Sequence, residues 1–436
     1  MNKKIVVIGA GVGGCYVAEL LGKMGNDVTV YEIAKRGEVS YDWHDDINPS
    51  VFDKVGITLP EEKFWFRKNN WTFVSPSEET AIAINLPEEK LDFSIERRKF
   101  AEFLISRAEK YANFVFGTTV EKLIVKDEQV VGIVVNGEEI YADLVIDNSG
   151  VNSPFRAMAP ASYGMTDMYE SEEVFRTFRA FYNRNESAPE PTHMNAVYLK
   201  HLGEKGISWC IKDPSGMVNV LVGRIGELSE ETLENALNKL KASNPIIGDK
   251  ILRGGGIYDV SVRYPALRMA GKGYVTIGDS AFQTIPMLGS GLEMSLLAAY
   301  FLAENVKKFN SIDMDALWGY QVDYFKAQGA DHISVDMLKR FLLAVNPNDI
   351  DYLFKSGVVS NSDFEAAAVG GTIKLGIIDL ITRVYRGRKK IGLLLTLKTA
   401  LDKGERLKKT ALTIPTVYNE QAIEKWVNKM TKIIKK

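Results

Sequence analysis

The chain has 436 residues, length enough for two or three structural units. It is 46% hydrophobic and 25% charged, with a net charge of −2, an ordinary globular balance that argues against bulk attraction to nucleic acid. Its two cysteines, Cys15 and Cys210, lie far apart, which excludes a disulfide framework or a cysteine zinc site and fits a reducing cytoplasm.

Lys4 to Gly9 reads as a buried parallel strand, Gly11 to Lys23 as a helix and Asp27 to Glu32 as a second strand. The opening apolar run ends at Ile8, too soon for a signal peptide, and no uninterrupted apolar stretch reaches the roughly 20 residues of a membrane span. Ile33 to Asp92 is irregular, with strand-like runs at Trp71 to Val74 and Ala81 to Asn85. Arg97 to Tyr111 has helical apolar spacing. Val120 to Val125, Gln129 to Asn136 and Glu138 to Asp143 make a meander, with turns at Lys126-Asp127 and Asn136-Gly137. Leu144 to Asp147 returns to the parallel sheet.

Strands then dominate to about Gly254: Phe175 to Tyr182, Ala196 to Lys200, Gly206 to Lys212 and Val218 to Ile225, followed by a helix over Glu230 to Ser243. Gly273 to Ile277 is another buried strand, Gly291 to Lys307 a helix, and the remainder mostly helical. From Gly371 onward there are 16 Lys and Arg against 5 Asp and Glu, a net of +11 on a chain that is otherwise acidic. The apolar stretches Leu375 to Val384 and Ile391 to Leu401 sit among those charges, too short to span a membrane but able to lie in an interface.

The first chemical motif is Gly9-x-Gly11-x-x-Gly14, with Val12 and Gly13 inside it, set between a strand and a helix. Glu32 closes the second strand 23 positions past Gly9, followed by Ile33. Glycines let the backbone approach a pyrophosphate at the helix N-terminus, and the acid accepts from a ribose diol while repelling a 2′-phosphate. The second motif is Gly278-Asp279-Ser280-Ala281, then Pro286 and Gly289-Ser290-Gly291, with Leu292 opening a helix. Two glycine-lined strand ends make a two-sided grip on a long dinucleotide, which favours FAD over NAD.

With these motifs in place the chain resembles FAD-dependent oxidoreductases of the p-hydroxybenzoate hydroxylase fold, and within them the geranylgeranyl reductase family. Arg97-Arg98-Lys99-Phe100 is similar to that family's Arg-x-x-Phe helix start, which implies that Arg97 reaches the cofactor. Ser149-Gly150 through Ser153 to Arg156 keeps the glycine, serine and arginine of its Asp-Gly-x-x-Ser-x-x-Arg, with Ser149 in place of the acid. Arg263 with Pro265, Phe341-Leu342 and Asn348 to Tyr352 also resemble the archaeal reductases. The resemblance implies an α/β fold with α+β elements: a Rossmann-type FAD-binding domain over 1–155 and 255–310, an antiparallel-sheet substrate domain over 156–254 and a helical C-terminal region over 311–436. It places Val120 and Gly150 with the glycine motifs, Glu32, Arg97, Asp279 and Leu292 at the cofactor.

The sequence departs from the family where substrate would sit. Trp43 stands at the position of its Pro-Cys-Gly-Asp cysteine and Asp45 at that of its aspartate, and of its Tyr-x-Trp-x-Phe-Pro only Trp209 remains, followed by Cys210. Reducing a C=C bond takes a hydride from flavin N5 and a proton from a donor at the cavity. His44 is the residue suited to that role, with Asp45 and Asp46 able to orient its ring. Cys210 is a replacement thiol or a packed side chain, and Trp65, Trp71 and Trp209 line an apolar tunnel or pack in a core. No second strand–GxGxxG–helix unit is visible, Gly254-Gly255-Gly256 and Gly370-Gly371 lacking the flanking pattern. The reading is therefore an FAD oxidoreductase acting on C=C bonds of an isoprenoid or lipid-like substrate. It takes electrons from an external donor (NAD(P)H, a ferredoxin or another reductant), without a metal, in the cytoplasm or peripherally at a membrane. A monooxygenase or halogenase of the same fold and a non-catalytic flavin carrier are the alternatives.

Overall fold

The computed structural model describes residues 2–165, 170–287, 289–368, 383 and 386–435. Its organising element is a six-stranded sheet in the order Ala270–Gly271, Tyr274–Thr276, Leu144–Asp147, Lys4–Ile8, Asp27–Tyr31, Asn113–Val115, parallel except at Ala270–Gly271. The run Ile5 to Ile8 is buried because it is central, with Leu144–Asp147 and Asp27–Tyr31 on either side. The helix Val12–Lys23 crosses from the first strand to the second and packs against Arg97–Ala108 and Leu292–Phe309. Gly14 permits the tight exit from the strand, since a Cβ there would lie 2.1 Å from the Gly9 carbonyl oxygen.

The meander forms as expected from Val120–Lys126, Gln129–Val135 and Glu138–Tyr141. Its second turn is Asn136-Gly137, and its first is Asp127-Glu128, one residue later than the sequence suggests; all four residues have positive φ, the twist that a two-residue hairpin needs.

The second large sheet has seven strands, in the order Ile247–Ser261, Val174–Arg184, Val218–Ile225, Gly206–Lys212, Ala196–Leu199, Thr72–Val74, Ala81–Ala83. Two of its strands therefore come from before the expected boundary at residue 156, and a third runs through the one at 254. Thr72–Val74 pairs in parallel with Ala196–Leu199, a partner that no local pattern reveals. The long strand Ile247–Ser261 was hidden by Gly254-Gly255-Gly256, which form a bulge: Arg179 pairs with Gly256 and Ala180 with Gly254. A fourth sheet, which the sequence pattern does not reveal, joins His44–Ile47, Phe93–Glu96 and Trp65–Arg67.

The described part of the C-terminal region is helical. Met314–Tyr324, a π-helical turn over Phe325–Gly329 and Ala330–Ala344 follow one another directly, and Pro347–Lys355, Asn361–Ala368, Ile391–Ala411 and Glu420–Ile434 are further helices among the described residues. Glu420–Ile434 buries Ile423, Trp426, Met430 and Ile433 at helical spacing. Ile391–Ala411 buries Gly404, Leu407, Thr410 and Ala411, packing on Ala330–Ala344. Of the stretch Leu375 to Val384 only Arg383 is described, and Gly370-Gly371 lies outside the described residues.

Candidate functional site

A single cavity of about 1620 Å³ runs from the glycine turn, past the strand His44–Ile47, to the C-terminal helices. At one end its wall is mostly backbone. Gly9, Gly11, Val12, Gly150, Gly289, Ser290, Gly291 and Leu292 all border it. Gly9, Gly150 and Gly289 have φ of +97°, +96° and +67°, conformations that leave room for a ligand to approach the main chain. A Cβ at Gly11 would lie 2.8 Å from Asn148 Nδ2. Gly13 and Gly14, expected to bind cofactor, do not border the cavity; they let the helix sit close to Asn148 and the Gly9 carbonyl.

Side chains finish that end. Glu32 is buried and accepts from Ala10 N at 2.6 Å and Ala34 N at 2.8 Å, which fixes the carboxylate while each oxygen keeps a second lone pair for a ribose hydroxyl. Ile33 and Val120 flank it at the cavity. Asp279 lies on the short helical turn Gly278–Ala281 and accepts from the Thr284 hydroxyl; burial pushes its carboxyl up. Ser149 and Ser153 both donate to Asp147 at 2.6 Å, so the serine that replaces the family's acid braces this loop.

The middle of the cavity is built by side chains. Pairing of His44–Ile47 with Phe93–Glu96 sets His44 opposite Glu96 and Asp46 opposite Ser94. The buried His44 ring lies edge-on to Phe66 and Phe181. Its Nε2 bonds to Asp213 Oδ2, and its Nδ1 lies 2.8 Å from Ser94 Oγ, which in turn donates to Asp46 Oδ1 at 3.0 Å. The Ser94 hydroxyl has one proton, and a carboxylate can only accept, so Ser94 accepts from Nδ1–H. Both ring nitrogens are thus engaged, one by the Ser94 hydroxyl and one by the Asp213 carboxylate. Burial pushes the Asp213 carboxyl up, but hydrogen bonds from His44 and Ser215 outweigh it and hold the group below the ordinary carboxylate range.

Asp45 faces a different set of partners. It accepts from Arg179 at 2.5 Å, Arg97 at 3.1 Å and Trp43 Nε1 at 3.1 Å. Burial pushes its carboxyl up, yet the two guanidinium groups and these hydrogen bonds bring it below the ordinary range. It is an anchored anion rather than a proton donor, and it does not orient His44 as expected; Asp213 and Ser94 do. Arg97 Nε also donates to Ser40, and its guanidinium lies over the Tyr41 ring. Trp43 stacks on Tyr41 at 4.5 Å.

Trp209 borders the cavity and shares Asn219 Oδ1 with Arg179. Trp71 borders it too, while Trp65 stacks on Phe93 and donates to the Pro60 carbonyl away from it. Cys210, read as a replacement thiol or a packed side chain, is on the opposite face of its strand. It is 2% exposed among Val74, Ala196 and Val220, and burial pushes its thiol up to about 12. The alternation of a strand decides this: Trp209 faces in, so Cys210 faces away.

Sequence reasoning missed Asp213, Ser94 and Arg179. Asp213 reads as an ordinary turn residue before Pro214-Ser215-Gly216, and Ser94 as a strand residue. Arg179 did carry a signal, a cation in an aromatic, otherwise buried strand. The Gly254–Gly256 bulge lies directly across from it.

A family model described as an NAD(P)-binding Rossmann-like domain matches residues 7–56. Over 424 residues the chain is 24% identical to the digeranylgeranylglycerophospholipid reductase of Sulfolobus acidocaldarius, across 94% of this chain and 93% of that one. A solved geranylgeranyl bacteriochlorophyll reductase-like protein from Thermoplasma acidophilum matches with a TM-score of 0.71 at 17% identity, covering 90% of this chain and 99% of that one. The chain is geranylgeranyl reductase-like. This reductase-like chain shares its fold with halogenating enzymes as well: a flavin-dependent brominase matches with a TM-score of 0.63 at 15% identity, covering 93% of this chain and all of that one. The protein is an oxidoreductase, and its relatives and fold point to a flavin cofactor. Among the described residues no helix is long and apolar enough to cross a membrane.

Proposed function

We propose that the protein binds FAD and reduces C=C bonds of an isoprenoid or other lipid-like substrate. The observation that carries this reading is the continuity of the cavity. At about 1620 Å³ it exceeds the roughly 300–1,000 Å³ of a single-ligand pocket, and it passes from the glycine cradle to apolar walls at Leu342, Phe354, Leu394 and Leu397. A dinucleotide fits the first part, held by the backbone at Gly9, Gly11, Gly150 and Gly289 to Gly291, with Glu32 at a ribose and Arg97 and Asp279 near the ring system. When bound, the flavin supplies a hydride.

The chain's own contribution is the proton and the positioning. His44 is the proton source, and because Asp213 and Ser94 hold both of its ring nitrogens, transfer takes place when the substrate carbon displaces one of these two positioning residues from the ring. Asp45, Arg97 and Arg179 form a fixed electrostatic wall beside it, and Trp71 and Trp209 exclude water along the substrate path. Electrons come from an external reductant: a nicotinamide in transient contact, a ferredoxin-type carrier or another donor. A lipid-like substrate also makes peripheral contact with a lipid surface the expected setting.

The test is reduction of the purified flavoprotein without oxygen, followed by a polyprenyl alkene or by O2. The expected result is reoxidation by the alkene with a saturated product, and a His44→Gln variant that keeps its flavin while turnover falls about 10²–10⁴-fold. Reoxidation by O2 with an oxygenated or halogenated product, and none by alkene, would favour the monooxygenase or halogenase reading. Lys68, the cavity lysine nearest this network, is already committed to Asp46 and Asp92.

A further inference from the structure

The helix Ile391–Ala411 changes character along its length. Its second half is amphipathic and buries Gly404 and Leu407 against Ala330–Ala344. Its first half carries Ile391, Leu393, Leu394, Leu395, Leu397 and Leu401, and none of them is buried. Leu393, Leu394 and Leu397 pack partly on the satellite core around Phe341 and Leu353. Ile391 and Leu395, one turn apart, do not: they are 52% and 59% exposed. Both nevertheless border the cavity, so this face is also its rim. Immediately before it stands Arg388-Lys389-Lys390, a short helical turn in which Arg388 and Lys389 are exposed and Lys390 pairs with Asp349.

An exposed apolar pair beside consecutive cations at the mouth of an apolar cavity is the chemistry of a lipid interface. Acyl chains take the leucine and isoleucine side chains, and anionic headgroups take the cations. An acidic protein would satisfy the cations and leave Ile391 and Leu395 in water. We propose that the first two turns of Ile391–Ala411, with Arg388 and Lys389, dock the protein on an anionic lipid bilayer and open the cavity directly into its acyl layer. The inference rests on the reading of the substrate as lipid-like, but its test reads binding and not turnover.

The test is co-sedimentation of the full-length, flavin-loaded protein with vesicles rich in phosphatidylglycerol or made of phosphatidylcholine alone, at low and high salt. The expected result is tighter binding to the anionic vesicles, weakened by salt, and about fivefold weaker for each charge lost in Arg388→Gln and Lys389→Gln. An Ile391→Ser/Leu395→Ser double variant, with flavin content and circular dichroism unchanged, should lose binding to both vesicle types. No binding to anionic vesicles at low salt overturns the proposal. So does full binding by the double variant, or displacement from vesicles by an acidic carrier protein whose binding the serine variant retains. Turnover of a water-soluble short-chain alkene should be unchanged in Arg388→Gln; vesicle binding without alkene reduction in the native protein would leave the docking surface intact and remove the functional reading.

Discussion

The turn Gly9–Gly14 and the strand His44–Ile47 sit on one cavity but are made in opposite ways. The turn is a backbone site: its chemistry is main-chain N–H groups and the space left by missing Cβ atoms, all within a few residues. The His44 site is a side-chain site, and its partners Ser94, Asp213 and Arg179 come from three other strands or turns, up to 169 residues away. A backbone site tolerates almost no substitution at its tight positions. A side-chain network loses function in graded steps.

The largest expected effect tests the first half of that contrast. Gly14→Ala would put a methyl group 2.1 Å from the Gly9 oxygen, so the variant should lose flavin and several kcal/mol of stability, measured by flavin absorbance and thermal unfolding. Next, Asp213→Asn removes the charged partner of the buried His44. It should cost about 3 kcal/mol of stability and lower turnover by less than His44→Gln does, with flavin retained. If both variants shed flavin as Gly14→Ala does, the separation between backbone and side-chain sites fails.

The histidines sharpen the comparison through pH. Burial pushes His201 and His332 down to about 4. A lowered folded value means that the unfolded chain binds more protons, so these two groups make stability fall as pH drops from about 6.5 toward 4, by of order 3 kcal/mol each. Urea unfolding across that range should show the slope, and His332→Gln should reduce it. The Asp213 contribution, from a depressed carboxyl, is present above about pH 4 and is lost only below it. The smallest effect is expected for Cys210→Ala, a buried side chain away from the cavity: about 1 kcal/mol of stability and turnover within about twofold.

The same contrast explains what the sequence could reveal. The strand–turn–helix, the meander, Glu32 and the second glycine motif are local patterns, and the structure carries them nearly residue for residue. His44 was legible as a titratable residue in a departing segment, but its partners were not, because strand pairing, not sequence distance, brought them together. Asp45 and Asp46 were the nearest acids in sequence. Asp45 points to the opposite face of the strand, and Asp46, on the same face as His44, reaches the ring only through Ser94. Of the two readings of Cys210 the structure carries the packed side chain for the same reason, since its neighbour Trp209 takes the cavity face.

The pairing of Thr72–Val74 with Ala196–Leu199 also constrains how the chain comes to be folded. The seven-stranded sheet is not complete until residues 72–83 have crossed to meet a strand that emerges from the ribosome more than a hundred residues later. Until then Thr72–Val74 has only Ala81–Ala83 as a partner, and its other edge is open to association with other chains. A fragment cut at residue 156 would carry that exposed edge permanently, so neither sheet can be excised as a contiguous, well-behaved piece. The two halves of the cavity are bound together by topology before any ligand joins them.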